Sequence, residues 1–116
     1  MQSKAQAKWI RMSPRKVRRV VNEIRGKKCG EAMEKLEFMP FAAAREVRKV
    51  VNAAMYNLIH NEKAPVSKNV VEQMKIVEAF ADQGPTLPPR FRARARGRAA
   101  PILKRTSHIT VVLSDV

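Results

Sequence analysis

A chain of 116 residues and 13.2 kDa has room for a single modest core, which excludes a multidomain organisation within it. Apolar residues make up 45% but aromatics only 5%, so the core must be aliphatic. With 24 Lys and Arg against 10 Asp and Glu, the net charge is +14 and the isoelectric point is near 11.0, values that call for a polyanionic partner.

The first element is a short strand over Lys4 to Met12, where Ala5, Ala7 and Trp9 alternate with Lys4, Gln6 and Lys8. Ser13-Pro14 then opens a helix. Serine is a favoured N-cap, and proline at the first helical position loses nothing by lacking its N–H. Val17, Val20, Val21 and Ile24 form one apolar stripe at helical spacing, and Gly26 ends the element. A shorter helix follows over Glu31 to Met39, with Ala32, Met33, Leu36 and Met39 inward, and Pro40 punctuates its end. The third helix, about Phe41 to His60, buries Ala44, Val47, Val50, Val51, Ala54, Met55 and Leu58 and is the expected spine.

Asn61 to Lys68, with Pro65, reads as a loop; Val70 to Asp82 and Ile102 to Leu113 read as strands. Between them, Gly84 to Pro101 has almost nothing apolar to bury, which points to a functional extension. If the flanking strands run on into it as a hairpin, ten residues per arm carry its tip roughly 30 Å beyond the body.

The charge is not spread evenly. From Met1 to Asn22 there are seven cations (Lys4, Lys8, Arg11, Arg15, Lys16, Arg18, Arg19) and no acid. From Gln83 to Ser114 there are again seven (Arg90, Arg92, Arg94, Arg96, Arg98, Lys104, Arg105) and no acid, while Glu23 to Asp82 carries ten cations and nine acids. A surface charged only for solubility mixes both signs, so two acid-free blocks point to nucleic acid, with an anionic membrane surface as the lesser alternative.

In Arg90-Phe-Arg-Ala-Arg-Ala-Arg-Gly-Arg98, arginine recurs at every second position. An extended backbone would align all five guanidinium groups on one side, opposite Phe91, Ala93, Ala95 and Gly97, whereas a helix would scatter them. Arginine suits bidentate phosphate recognition and stacking on bases; a flexible basic tail is the plainer alternative. In Arg11-Met-Ser-Pro-Arg-Lys-Val-Arg-Arg19, Arg15 and Lys16 oppose the dipole of the helix they begin, a penalty that reverses when a phosphate sits at that N-terminus. The plainer alternative here is a solvated helix face.

No catalytic or metal-binding constellation emerges. His60 and His108 lack partners at ligand spacing, and Cys29 stands alone. The methionines read as core filler, and there is no phosphate loop, HExxH or nucleophile elbow. With no signal peptide or long apolar run, a soluble intracellular chain with no cofactor is expected. A DNA-architectural protein, a nuclease and a membrane-active helix are the rival functions. The nuclease lacks paired carboxylates, and the valine stripe is narrow for a membrane.

Arg11-Met-Ser-Pro-Arg-Lys-Val-Arg, Ile24-Arg-Gly-Lys, Val51-Asn-Ala-Ala with Asn57, Gly84-Pro-Thr-Leu, Arg94-Ala-Arg-Gly-Arg-Ala and Lys104-Arg-Thr-Ser-His-Ile-Thr occur in that order. Together they resemble the ribosomal large-subunit protein twenty-two family, from about Ala5 to Asp115. The resemblance implies an α+β fold, three helices packed on a three-stranded antiparallel sheet with a long extended β-hairpin. It implies one rRNA-binding domain over 1–116, its arm at about 82–102, in a structural constituent of the large subunit and not an enzyme.

By matching position, rRNA contacts are expected at Arg11, Ser13, Arg15, Lys16, Arg18, Arg25, Lys27, Lys28, Arg94, Arg96, Arg98, Lys104, Arg105, Thr106, Ser107 and His108. The tip lining the nascent polypeptide exit tunnel is expected at Leu87, Pro88, Pro89, Arg90, Phe91 and Arg92. The implied partners are large-subunit rRNA, neighbouring large-subunit ribosomal proteins and the nascent chain, with no membrane and no homo-oligomer. The implied location is the cytoplasm, with an organellar ribosome as the alternative. The chain departs from the family pattern at Pro88-Pro89, where a basic pair is usual, at Ala93, where proline is common, and by one extra residue between Gly84 and Gly97.

Overall fold

The computed structural model describes residues 2–86, 90–93, 95–97, 99–102 and 105–115, with the backbone alone at 90–93, 95 and 99–102. Among the described residues, five strands and four α-helices follow one another as β1 (Gln2–Ile10), α1 (Pro14–Ile24), α2 (Cys29–Phe38), α3 (Ala42–Ile59), α4 (Lys68–Gln73), β2 (Lys75–Gln83), β3 (Arg90–Ala93), β4 (Ala99–Ile102) and β5 (Ser107–Ser114). Strands β1, β5 and β2 make an antiparallel sheet in that order, with β5 central, and β3 pairs antiparallel with β4. The class is α+β, as the resemblance implies.

The helices cover one face of the three-stranded sheet. Val17, Val20, Val21 and Ile24 of α1 and the stripe from Ala43 to Leu58 of α3 meet Ile76, Ala79 and Ala81 of β2 and Ile109, Val111 and Leu113 of β5. Each fully buried Val, Leu or Ile contributes roughly 1.5–3 kcal/mol relative to exposure, and among the described residues no aromatic side chain is fully buried in this core, Phe41 packing only on its margin. Met55 and Met74 are buried in it, while Met12, Met33 and Met39 pack on its margin.

Three expectations need correction. Among the described residues there are four α-helices, not three, because Val70 and Val71 belong to α4 and β2 begins only at Lys75. Ser67, with φ −66° and ψ 150°, starts that helix, and Val71 is driven into the core, so burial outweighs the β-preference of two adjacent valines. Trp9 is not on the core face with Ala5 and Ala7. The register of β1 against β5 shifts between Ala7 and Ile10, Trp9 takes φ 57°, and its side chain is 64% exposed. Nor do Arg90 to Arg98 form one extended run. The ladder pairs Arg90 with Ile102 through Ala93 with Ala99, and the chain reverses between these strands, where Ala95–Gly97 make a single turn. Arg96 (φ 62°) and Gly97 (φ 68°) both take left-handed conformations there, a geometry that glycine adopts freely.

Candidate nucleic-acid interface

The two acid-free blocks, far apart in sequence, converge at one end of the sheet. β5 begins there, β2 ends there and β1 runs out there. Ile10 pairs with Ser107, and the Ser107 hydroxyl donates to the Met12 carbonyl at 3.1 Å. This stitches the start of α1 to the start of β5. Arg11 is exposed at the junction, Ser13 is the N-cap, and Arg15, Lys16 and Arg18 stand exposed on the first turns of α1. The Ser13 hydroxyl makes no capping bond and the first turn holds no acidic side chain, so that helix end presents positive charge only.

On the other side of the junction Arg105 is exposed, but Thr106 and Ser107 are 2% and 0% exposed. Both are structural here. The Thr106 hydroxyl donates to the Pro85 carbonyl at 2.6 Å, and the Gly84 N–H donates to the Thr106 carbonyl at 2.9 Å. These bonds hold the two strands of the sheet together where the arm leaves it. Gly84 is required by close approach: a Cβ there would lie 2.5 Å from Thr106 Oγ1 and 3.1 Å from His108 Cε1. His108, half-buried, accepts the backbone N–H of Trp9 on Nδ1 at 3.1 Å.

Arg18 and Arg25 are only partly free to meet a partner. Arg18 Nε donates to the Ala81 carbonyl at 2.9 Å, and Arg25 donates from Nε and Nη2 to the Ala79 carbonyl and from Nη1 to Asn22. Both clamp α1 along β2. Arg19 lies over the Phe41 ring at 4.0 Å.

Lys27 and Lys28 lie at the opposite end of the sheet. Gly26 and Lys27 bond the backbone of Ile76, and Lys28 bridges to Lys75, about 26 Å along β2 from Gln83 at 3.3 Å per residue. They form a separate basic patch. Arg96 is exposed in the turn, and Arg90, Phe91 and Arg92 lie in β3. Arg94, Arg98, Lys104, Leu87, Pro88 and Pro89 lie outside the described residues.

Apart from Glu78 and Asp82 on β2, the latter exposed and in register with His108, and Asp115 after β5, the acids sit on and around the helices. Glu23 pairs with Lys35 at 2.8 Å, a contact that lowers the Glu23 pKa and raises that of Lys35. A cavity of about 270 Å³ is lined by Glu34, Glu37 and Glu72 together with Arg48 and Lys68. Among the described residues no group of His, Cys, Asp and Glu could hold a metal ion, and no helix is long and apolar enough to cross a membrane. His60 caps α3 and stacks on Tyr56, with ring centroids 5.5 Å apart. Cys29 is buried, and its burial, with Glu72 nearby, pushes the thiol pKa up to about 12, which leaves it unreactive.

Fold and surface together define a small basic α+β protein whose two acid-free cationic blocks meet at one end of its sheet. A family model described as ribosomal protein L22p/L17e matches residues 5–114, and the chain belongs to that family of structural ribosomal components, which are not enzymes. It is 51% identical over 113 residues to the large ribosomal subunit protein uL22 of Synechococcus sp. (strain JA-3-3Ab), covering 97% of this chain and 87% of that protein. It is 50% identical over 113 residues to the protein of the same name from Synechococcus sp. (strain JA-2-3B'a(2-13)), covering 97% and 86%.

Proposed function

We propose that the chain is a single domain that binds large-subunit rRNA, supports assembly of the subunit among neighbouring ribosomal proteins, and lines the nascent polypeptide exit tunnel with its arm. The observation that carries this reading is the junction at Ile10, Met12 and Ser107, which brings two cationic blocks without acids to one place. Phosphates at that place replace counterions, and the release of those ions favours binding.

Arg11, Arg15, Lys16, Arg96 and Arg105 are the exposed phosphate-facing groups, with Arg94, Arg98 and Lys104 joining them by sequence. Arg18, Arg25, Ser13 and His108 contribute a part of their donor capacity, and Lys27 and Lys28 serve a second contact. Thr106 and Ser107 act by fixing the root of the arm. The antiparallel β3–β4 ladder supports an arm that is a hairpin over about 82–102. A long axis of 63 Å and a radius of gyration of 17.4 Å, against about 13 Å for a compact chain of this length, support its extension from the body. The tunnel-lining part of the arm is Leu87, Pro88, Pro89, Arg90, Phe91 and Arg92, and the turn at Ala95–Gly97 closes the β3–β4 ladder. Specificity follows RNA shape, because folded RNA offers fixed phosphate arrays. The site of action is the large subunit of a cytoplasmic ribosome, or of an organellar one.

A tagged copy is expected to sediment with large ribosomal subunits at moderate salt. Purified chain is expected to prefer large-subunit rRNA over plain duplex DNA; equal binding to both would favour the DNA-architectural alternative.

A further inference from the structure

We propose that Trp9 is a stacking platform for an unpaired RNA base, held outside the fold at the root of the arm. The proposal rests on the rRNA-binding reading and adds to it a contact that is aromatic, not ionic. Period-two alternation from Ser3 through Ala5 and Ala7 would place Trp9 on the helix-covered face, the natural place for the largest side chain of an aromatic-poor chain. The irregularity between Ala7 and Ile10 turns it outward instead. The conformation that does so, φ 57° at a bulky residue, is intrinsically unfavourable and persists only where neighbouring contacts hold it.

One such contact is present. The backbone N–H of Trp9 donates to His108 Nδ1, and the imidazole meets the indole at 84° with centroids 6.0 Å apart. His108 is itself in place against Gly84, where the arm begins. A T-shaped neighbour covers one side of the indole at most, and at 64% exposure the ring retains an open π-face.

Charge identifies the occupant. Lys8 and Arg11, both exposed, flank Trp9 in the acid-free first block, so phosphates on either side of a stacked nucleotide find cations within two residues of the ring. A flat aromatic between cations, on the rim of a sheet whose outer face also carries the half-exposed Phe80, is the arrangement by which proteins hold splayed single-stranded bases. An apolar protein partner would gain nothing from the flanking cations.

Trp9 is the sole tryptophan, so its emission reports this site alone. The test titrates the full chain with in-vitro transcribed large-subunit rRNA, a single-stranded RNA oligonucleotide and a fully paired RNA duplex, with affinity measured separately by filter retention. The rRNA and the single strand are expected to quench Trp9 and the duplex to leave it bright. Trp9→Leu is expected to weaken rRNA binding about 5-fold to 150-fold without changing the salt slope, while Trp9→Phe keeps most of the affinity. An rRNA complex of full affinity with Trp9 unquenched, or a Trp9→Leu chain that binds like the parent, overturns the platform and leaves the rRNA reading standing. Equal quenching by the duplex also overturns it. If the chain does not prefer rRNA to unrelated RNA, both readings fall together.

Discussion

Gly84 and Thr106 act as one unit. The threonine hydroxyl is committed to Pro85, and the space that a side chain at 84 would need is already filled by that hydroxyl and by His108. Gly84→Ala must therefore push Thr106 out of its bond and shift the imidazole that holds Trp9. The expected loss is about 1–3 kcal/mol, the range for overpacking together with a broken hydrogen bond, measured by denaturant unfolding. Thr106→Val removes the bond without adding volume and should cost about 1 kcal/mol.

Cys29 supplies a pH-dependent counterpart. Its thiol is raised from 9.0 to about 12 in the fold, so between these values the folded chain keeps a proton that the unfolded chain gives up. The stability contributed by this group is full below pH 9 and declines as pH rises through that window. Cys29→Ala is expected to lose less stability than the parent between pH 9 and 11, and native Cys29 should resist alkylation until denaturant is added. Ready alkylation in native buffer would contradict its burial.

At the scale of elements, helices α1 to α3 were legible because each carries an apolar stripe at helical spacing, and every residue assigned to the α1 stripe is buried. Three features escaped for different physical reasons. Six residues of α4 are too few to establish a period, and their valines argue for a strand until a core is there to receive Val71. The bulge at Trp9 leaves no compositional trace, since a large aromatic next to Ala7 continues the alternation. Arginine at every second position suggests one strand because the pattern of Arg90 to Arg98 carries straight on through its reversal, and only Gly97 hints at the turn.

The candidate interface was legible as charge but not as geometry. Nothing local tells an arginine that clamps a carbonyl from one left free, so Arg25 and Arg96 look alike in sequence and differ in the fold. Their substitutions should therefore diverge. Arg25→Ala is expected to lower stability by about 1–2 kcal/mol through its bonds to Ala79, with little change in the salt dependence of rRNA binding. Arg94, Arg96 and Arg98 replaced together by Ala should leave thermal stability near the parent and reduce the salt slope by up to about 2–3 units, near one per lost phosphate contact. An unchanged slope would remove those three residues from the phosphate contacts.

Over the whole molecule, the net charge of +14 acts in opposite directions on folding and on binding. In the free chain, Arg11, Arg15, Lys16 and Arg105 gather around the Ile10–Ser107 junction, and the exposed Asp82, in register with His108, offsets only part of their charge. Like charges gathered by folding destabilise the fold, and salt relieves them: the screening length falls from about 30 Å at 0.01 M to about 8 Å at 0.15 M, comparable to the spacing of such a cluster. Bound RNA relieves the same repulsion with phosphates, but added salt competes with those phosphates and weakens the complex. The melting temperature of the free chain should rise over this salt range, by a few degrees for each 1 kcal/mol of repulsion removed, while rRNA affinity falls by orders of magnitude. Calorimetry of the free chain and filter retention of the complex measure the two trends separately. A melting temperature that falls with salt would mean that attractive pairs such as Glu23–Lys35 outweigh the repulsion, and that the cationic junction is folded at no electrostatic cost.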